Sequence, residues 1–182
     1  GESSTALGSG AKASGQYSFA GSVNANASGT QAVAIGRNAN ATAENAIAQG
    51  TDANATAVNA TAIGTEATAS TSDAIAVGRM SNASGGTSIS FGYNTKATHT
   101  NAVAIGTDVS ATEESAIALG RKTTASALNA TAVGPVANAS GSSASAFGMS
   151  ATASKENSLA LGASANASQA SGVALGYSST AN

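Results

Sequence analysis

The sequence predicts an all-β fold, a parallel β-solenoid built from coils of 14 residues. Three observations lead to this prediction. A glycine-marked motif recurs every 14 residues, large apolar residues alternate with alanine before each glycine, and aromatic residues make up only 3% of the 182 residues. With so few large side chains, an ordinary globular core could not be filled at native packing density. A thin solenoid interior fits this composition, and the strict apolar period argues against disorder.

The repeat extends over the whole chain without an insertion or deletion. We call the glycine of AVAIG (residues 32–36) the anchor and number the other positions of a coil from it. Twelve of the thirteen anchors are glycine, and the exception is Ser22. Position +5 is alanine in every coil, and position +6 is serine or threonine in twelve. We therefore treat residues 1–182 as a single array of about thirteen coils, with anchors at 8, 22, 36, 50, 64, 78, 92, 106, 120, 134, 148, 162 and 176.

One period holds two strands and two tight turns. A period of 14 is too short for a helix pair or a propeller blade, but it suits one solenoid coil with two strands of about five residues. The first strand is predicted over the five residues before the anchor, and the second from about +2 to +6. The anchor glycine permits a conformation or a close approach that a Cβ would block. The outer turn is predicted at +7 and +8, as at Gly85 and Gly86 or Glu113 and Glu114.

A coil with two strands is flat, so only small residues fit inside it. Side chains alternate along a strand, and this places the alanines of positions −2 and +5 on the same inner side. Position +3 shares that parity. The predicted interior comprises Ala34, Ala41, Ala55, Ala62, Ala69, Ala76, Ala83, Ala97, Ala104, Ala111, Ala118, Ala125, Ala132, Ala139, Ala146, Ala153, Ala160, Ala167 and Ala174.

The large apolar residues at −3 and −1 then point out of the roll. About twenty such side chains would be exposed, and burying each is worth about 1.5–3 kcal/mol. We therefore expect this face to be buried against identical copies in a closed symmetric homo-oligomer. The number of copies does not follow from the spacing. The predicted interface comprises Val33, Ile35, Ile47, Gln49, Ile63, Ile75, Val77, Ile89, Phe91, Val103, Ile105, Ile117, Leu119, Val133, Phe147, Leu159, Leu161, Val173 and Leu175.

The motifs resemble a known family. AVAIG, NAIAQG (45–50), DAIAVG (73–78), NAVAIG (101–106), SAIALG (115–120) and NSLALG (157–162) are similar to the N-S-V-A-I-G head repeats of trimeric autotransporter adhesins of the YadA-like kind. The similarity covers essentially the whole chain. It implies a left-handed parallel β-roll, three chains side by side as a homotrimer, and a large apolar trimer axis.

The resemblance also implies a biological role. Such heads sit on a coiled-coil stalk that leads to a β-barrel anchor in a Gram-negative outer membrane. They bind host matrix proteins or cell surfaces, and some promote bacterial self-association. The chain starts inside the repeat, so we expect it to be a head fragment whose stalk and anchor lie outside residues 1–182. No run of 18 apolar residues exists, so we expect no membrane insertion of this segment.

Several residues depart from the apolar pattern of the −3 and −1 positions. Gln49 replaces a large apolar residue, so three copies would meet there as a polar layer. That layer could bind water or an anion, could fix the register of the chains, or could be a tolerated defect. Gly21 with Ser22 weakens the second coil. The column is further softened at Thr5, Thr61, Thr131 and Ser145.

Catalytic, cofactor and metal sites are not predicted. The one histidine, His99, lies in the variable outer turn, and cysteine is absent, so no catalytic triad can be assembled. Asp52, Asp73 and Asp108 are scattered over different columns, whereas a metal site needs clustered ligands. Seven Lys and Arg residues with a net charge of −2 argue against nucleic-acid binding.

The remaining polar features allow more than one interpretation. Arg37, Arg79 and Arg121 each follow an anchor and lie either at the interface edge, paired with an acidic residue of a neighbouring copy such as Glu66 or Asp108, or in solvent. Eight N-x-[ST] sequons are either glycan acceptors or side-chain ladders produced by the repeat; they include Asn26, Asn54, Asn82, Asn138 and Asn166. Ligand contacts are confined to the outward side of the second strand and the outer turns, but no binding site can be named. Residues there include Asn40, Asn54, Lys122, Glu113, Glu114, Val58 and Leu128.

Two other function classes are alternatives to an adhesion module. A hexapeptide-repeat acyltransferase would have a six-residue period and a catalytic histidine at a subunit interface. The period of 14 is not a multiple of six, and His99 lies in a turn. An ice-binding solenoid would present a flat ladder dominated by threonine. Here the in-frame hydroxyl column at +6 is mostly serine and is expected at a turn, so the adhesion module is favoured.

Overall fold

The computed structural model of the chain describes residues 1–182 as strands and turns, with two strands in each coil. The odd-numbered strands end just before the anchor in most coils, and the even-numbered strands cover positions +4 and +5. The odd-numbered strands are β1 (Thr5–Leu7), β3 (Phe19–Gly21), β5 (Val33–Ile35), β7 (Ile47–Gln49), β9 (Thr61–Ile63), β11 (Ile75–Val77), β13 (Ile89–Tyr93), β15 (Val103–Thr107), β17 (Ile117–Arg121), β19 (Thr131–Val133), β21 (Ser145–Phe147), β23 (Leu159–Leu161) and β25 (Val173–Leu175). The even-numbered strands are β2 (Lys12–Ala13), β4 (Asn26–Ala27), β6 (Asn40–Ala41), β8 (Asn54–Ala55), β10 (Thr68–Ala69), β12 (Asn82–Ala83), β14 (Lys96–Ala97), β16 (Ser110–Ala111), β18 (Thr124–Ala125), β20 (Asn138–Ala139), β22 (Thr152–Ala153), β24 (Asn166–Ala167) and β26 (Thr180–Ala181).

The chain divides into two compact units, Gly1–Asn94 and Thr95–Asn182. In the first unit, odd-numbered strands β1 to β13 form one parallel sheet, and even-numbered strands β2 to β12 form another. In the second unit, β15 to β25 and β14 to β26 form the two sheets in the same way. Every pairing joins residues 14 apart, as Val33 with Ile47 and Ala104 with Ala118. The prediction of a parallel β-solenoid with 14-residue coils is confirmed.

The turns follow from a left-handed residue at every seventh position. From Ser3 to Ser178, the residues at −5 and +2 of each coil have φ between 51° and 71°. Asparagine is frequent there, as at Asn38 and Asn45, because its short polar side chain tolerates this region. These residues interrupt the extended backbone on both sides. The strands are therefore mostly three and two residues long, and the predicted length of about five was wrong for most coils.

The anchors need a second kind of unusual backbone. Every anchor has a φ between 110° and 140°, a range that side chains with a Cβ rarely adopt. At most anchors a Cβ would also meet the anchor carbonyl of the next coil. The predicted role of the anchor glycine is thus confirmed. Ser22 adopts the same conformation with φ 124°.

The core of each unit consists of four columns of alanine. All the alanines predicted at −2 and +5 are at most 1% exposed. Positions −4 and +3 join them in the interior, with Ala32 and Ala39 as examples, and the sequence analysis had not placed position −4 there. Where serine replaces alanine, its hydroxyl is satisfied locally: Ser88 Oγ and Ser158 Oγ donate to the carbonyls three residues earlier, both at 2.6 Å.

Candidate functional site

The outward side of the odd-numbered strands is an apolar face, which we define as positions −3 and −1 of every coil. All the residues predicted for an interface between copies lie on it, and none is fully buried within the single chain. Ile35 is 39% exposed, Phe91 52% and Leu161 42%. Exposed members are Ile35, Ile47, Gln49, Ile75, Phe91, Ile105, Leu161, Val173 and Leu175. Half-buried members are Val33, Ile63, Val77, Ile89, Val103, Ile117, Leu119, Val133, Phe147 and Leu159.

The space beside Gly21 on this face is occupied from within its own coil. An ideal Cβ on Gly21 would lie 2.8 Å from Cε1 of Phe19, so the phenyl ring covers the position that a side chain would take. The pair Phe19 and Gly21 thus supplies one large group where other coils supply two medium ones. Gly21 therefore leaves no gap on the apolar face, and the positive φ of Ser22 is the remaining departure of this coil.

Three successive coils have longer first strands. Strands β13, β15 and β17 continue through the anchor to position +1, and Gly106 pairs with Gly120 in the ladder. In these coils position +3 holds a buried β-branched residue in place of alanine, namely Thr95, Val109 or Thr123. An ideal Cβ on Gly106 would lie 3.1 Å from Cγ2 of Val109, so the larger side chain packs against the anchor. The tight turn opens to hold this volume.

The longer strands add a third column beside the two columns of the apolar face. Because side chains alternate along a strand, Tyr93, Thr107 and Arg121 lie on the same side as positions −3 and −1. The sequence predicts only Arg121 at the edge of the face, and Tyr93 and Thr107 were not predicted there. The β-branched residue at +3 was the available sequence signal.

Gln49 is the one amide among the −3 and −1 positions. It is the last residue of β7 and is exposed in the single chain. In the parallel ladder it pairs with Ile35 of the preceding coil and Ile63 of the following coil. Ile47 lies on the same side of its own strand. An amide side chain therefore stands surrounded by isoleucines.

The outward side of the even-numbered strands is polar and carries a ladder of amides. Asn26 Nδ2 donates to Asn40 Oδ1 at 2.8 Å, and Asn40 Nδ2 donates to Asn54 Oδ1 at 2.9 Å. These three residues belong to sequons, and their amides are already engaged along the solenoid. The structure thus supplies the ladder that the sequence analysis offered as one interpretation of these motifs.

The hydroxyl column at +6 lies beside this ladder. Its backbone amides continue the hydrogen bonding of the even-numbered strands, as when Thr42 N donates to the carbonyl of Ala55 at 3.1 Å. The column lies between the end of the second strand at +5 and the bend at +7, which agrees with the expectation that it sits at the start of a turn.

Most charged side chains lie at the turns, and Lys12, Lys96 and Arg121 lie in strands. Arg37 approaches Asp52 of the next coil at 3.7 Å, and both side chains are solvent-exposed. Such a pair contributes about 0–1 kcal/mol. The guanidinium of Arg79 stacks 4.4 Å above the ring of Tyr93. Both contacts lie within one chain, so the predicted pairing of these arginines with an acidic residue of a neighbouring chain stays a prediction.

The outer turns expose the other candidate contact residues. Val58 is 42% exposed and Leu128 46%, each in a polar turn. His99 is exposed as well, with its Nδ1 3.3 Å from Thr98 Oγ1. No group of three or more His, Cys, Asp or Glu residues lies close enough together to hold a metal ion. No helix has the length and apolar character needed to cross a membrane.

A family model for the YadA head domain repeat, covering two copies of the repeat, matches the chain in ten overlapping or adjacent segments. The matched residues are 1–20, 23–39, 27–53, 41–67, 55–79, 83–108, 111–137, 125–151, 139–165 and 153–179. The chain belongs to the YadA head domain repeat family. The resemblance seen in the motifs is thereby confirmed. No curated protein matches the chain.

YadA heads are adhesin domains of trimeric autotransporters exposed at the surface of Gram-negative bacteria, and their family is not an enzyme family. Membership agrees with a left-handed type of parallel β-solenoid with 14-residue coils. The two outward sides of each coil differ in character, because the apolar face presents large apolar side chains and the second sheet and outer turns present mostly polar ones.

Proposed function

We propose that the chain is the head of a trimeric autotransporter adhesin that attaches bacteria to host extracellular matrix or cell surfaces and promotes bacterial self-association. One observation carries the proposal. The first sheet buries alanine on its inner side and leaves two columns of large apolar residues exposed on its outer side. A domain of an adhesin family with such a face is built to associate with its own kind.

The physical argument is the size of the exposed apolar surface. Monomeric proteins rarely expose contiguous apolar patches above a few hundred Å². Here Ile35 and Ile105 at position −1 and Ile75 at position −3 are each 39% exposed, and both columns continue through successive coils of each unit. Three copies side by side would cover the face around a common axis, with the −3 and −1 residues as the interface and the alanine columns as the interior of each roll.

The adhesive surface is then formed by what remains outside the trimer. The polar second sheet and the outer turns repeat with every coil, so a ligand meets many similar weak contacts, and three chains add avidity. We propose a single array of thirteen coils as the head, with outer-membrane anchoring through stalk and anchor segments outside these residues. The partners are a second and third copy of the chain and a host matrix protein or cell-surface receptor.

Light scattering behind a sizing column tests the assembly. A trimer should appear at three times 17.1 kDa over a dilution series, and a monomer at every concentration would contradict the proposal. Ile105→Asp places a charge on the apolar face and should dissociate the trimer. Its matched control is Thr112→Asp on the polar second sheet, which should leave the mass unchanged.

Binding is then compared between these two variants. Immobilised matrix proteins and cultured cells should retain the parent protein and Thr112→Asp, but much less of Ile105→Asp, because the dissociated chain loses avidity. Equal retention of the trimeric and dissociated forms would contradict adhesion through a trimeric head.

A further inference from the structure

Gln49 has no obvious use in a single chain. Its side chain is exposed on the apolar face, where its neighbours in the ladder are Ile35 and Ile63. Since the amide is in solvent, the monomer gains no hydrogen bond from it and loses an apolar contact. The amide of Gln49 matters only when other chains cover the apolar face.

Three-fold symmetry gives the amide a partner. A glutamine side chain has both a donor group and an acceptor group. When three identical chains meet at the same level around an axis, each amide can donate to the next chain and accept from the previous one. The three side chains then form a closed ring that satisfies every member, and a fully satisfied polar layer is tolerated in an apolar interface.

A shift between chains removes this partner. The coils are nearly interchangeable on the apolar face, since Val33 with Ile35 or Ile75 with Val77 offers similar volume. Sliding one chain by one coil would place Gln49 opposite an isoleucine of its neighbours. The buried amide would then lose water without gaining a hydrogen bond, which is the costly case for a polar group.

We propose that Gln49 sets the register of the three chains. The inference rests on the proposed trimer, in which several other layers have similar volume and distinguish only weakly between the aligned assembly and one displaced by a whole coil. Burial of the apolar face provides the affinity, and the glutamine layer selects the aligned arrangement. A single polar position plays the same part in coiled coils, where it specifies register at some cost in stability.

The experiment uses a cysteine reporter, which is possible because the chain has no cysteine of its own. Ile75→Cys lies two coils from Gln49 on the apolar face of the same unit. In aligned trimers these cysteines meet at one level and form an interchain disulfide under mild oxidation. A shift of one coil separates them by about 4.8 Å along the axis, which takes them out of the narrow geometry that a disulfide accepts.

With Gln49 intact, we expect disulfide-linked chain pairs to form as fully as three cysteines allow. Adding Gln49→Leu should increase the shifted trimers at least about tenfold, because the unpaired amide no longer penalises them, and the disulfide yield should fall. Val77→Leu is the matched control, since it changes an apolar residue of the same column and should leave the yield unchanged. Moving the layer by one coil, with Gln49→Ile and Ile63→Gln together, should restore the yield.

Light scattering on every variant distinguishes failure of the proposed trimer from failure of the register role of Gln49. A parent protein that is monomeric would overturn the trimer and the register role together. A trimeric parent with the same disulfide yield after Gln49→Leu would leave the trimer in place and overturn the register role. Failure of the moved layer to restore the yield would likewise overturn it.

Discussion

An ideal Cβ on Gly64 would lie 2.6 Å from the carbonyl oxygen of Gly78, the anchor of the next coil. The distance is too short for any real side chain, and Gly64 also has φ 128°. The glycine column is therefore required twice over, once for the turn of its own coil and once for the stacking of the next.

Gly64→Ala should destabilise the first unit by about 2 kcal/mol or more, since the disfavoured φ alone costs about 1–3 kcal/mol and the clash adds to it. Urea unfolding at a fixed protein concentration measures the loss. Thr65→Ala, at the exposed next position, should change the free energy of unfolding by less than about 0.5 kcal/mol. Similar stabilities for the two variants would contradict the role assigned to the anchor.

Ser22→Gly should have the opposite effect. Ser22 is the one anchor with a side chain, and its φ of 124° is strained for a residue with a Cβ. We expect a gain of about 1 kcal/mol, since relief of the strain exceeds the entropy that glycine adds to the unfolded chain. The midpoint of urea unfolding should rise, and an unchanged or lower midpoint would show that the backbone holds serine there without strain.

Ala53→Val tests the narrow interior. Ala53 is fully buried at +3 in a coil with a tight turn, whereas Val109 at the same position belongs to a coil with a longer strand. Overpacking should cost about 1–3 kcal/mol. Thr65→Val on the exposed turn is the control for introducing valine. Stability equal to that of the parent would mean that the interior accepts valine at +3 without cost, which would contradict a narrow interior in this coil.

Asn40→Ala tests the amide ladder. Asn40 donates to Asn54 and accepts from Asn26, so the change removes two hydrogen bonds on the second sheet. Each is worth about 0.5–1.5 kcal/mol net, and we expect a loss of about 1–2 kcal/mol in urea unfolding. Asn138→Ala, at the same +4 position but between Thr124 and Thr152 in the sheet and not between asparagines, is the control. A loss no larger than that of the control would mean that water replaces the ladder at no cost.

Much of this architecture could be predicted because the same pattern of residues occurs thirteen times. The register of 14, the turn at Gly85 and Gly86, and the anchor glycines all recur in phase, and each coil must meet the same backbone constraints as its neighbours. Strand length was predicted less well. Asn38 and Asn45 fit the pattern of polar strand residues, but both adopt left-handed backbone. Apolar alternation gives no information about the backbone dihedral angles.

Part of the candidate site likewise follows from the sequence, and part depends on the tertiary structure. The apolar face of Val33 and Ile35 follows from alternation alone, as does the exception at Gln49. The ring of Phe19 over Gly21 depends on how one side chain lies across the face, and the third column at Tyr93 depends on a turn that opens two residues later along the same coil.

The sequence by itself determined the coil, its parallel register and the residue types inside and outside it, because a strict period leaves the chain one way to stack alanine on alanine. The tertiary structure decided where each strand ends and where a third column of side chains lies beside the apolar face. Those features depend on volume: Val109 and Thr123 are too large for the tight turn beside Gly106 and Gly120, and the backbone accommodates them only when neighbouring coils are packed against each other.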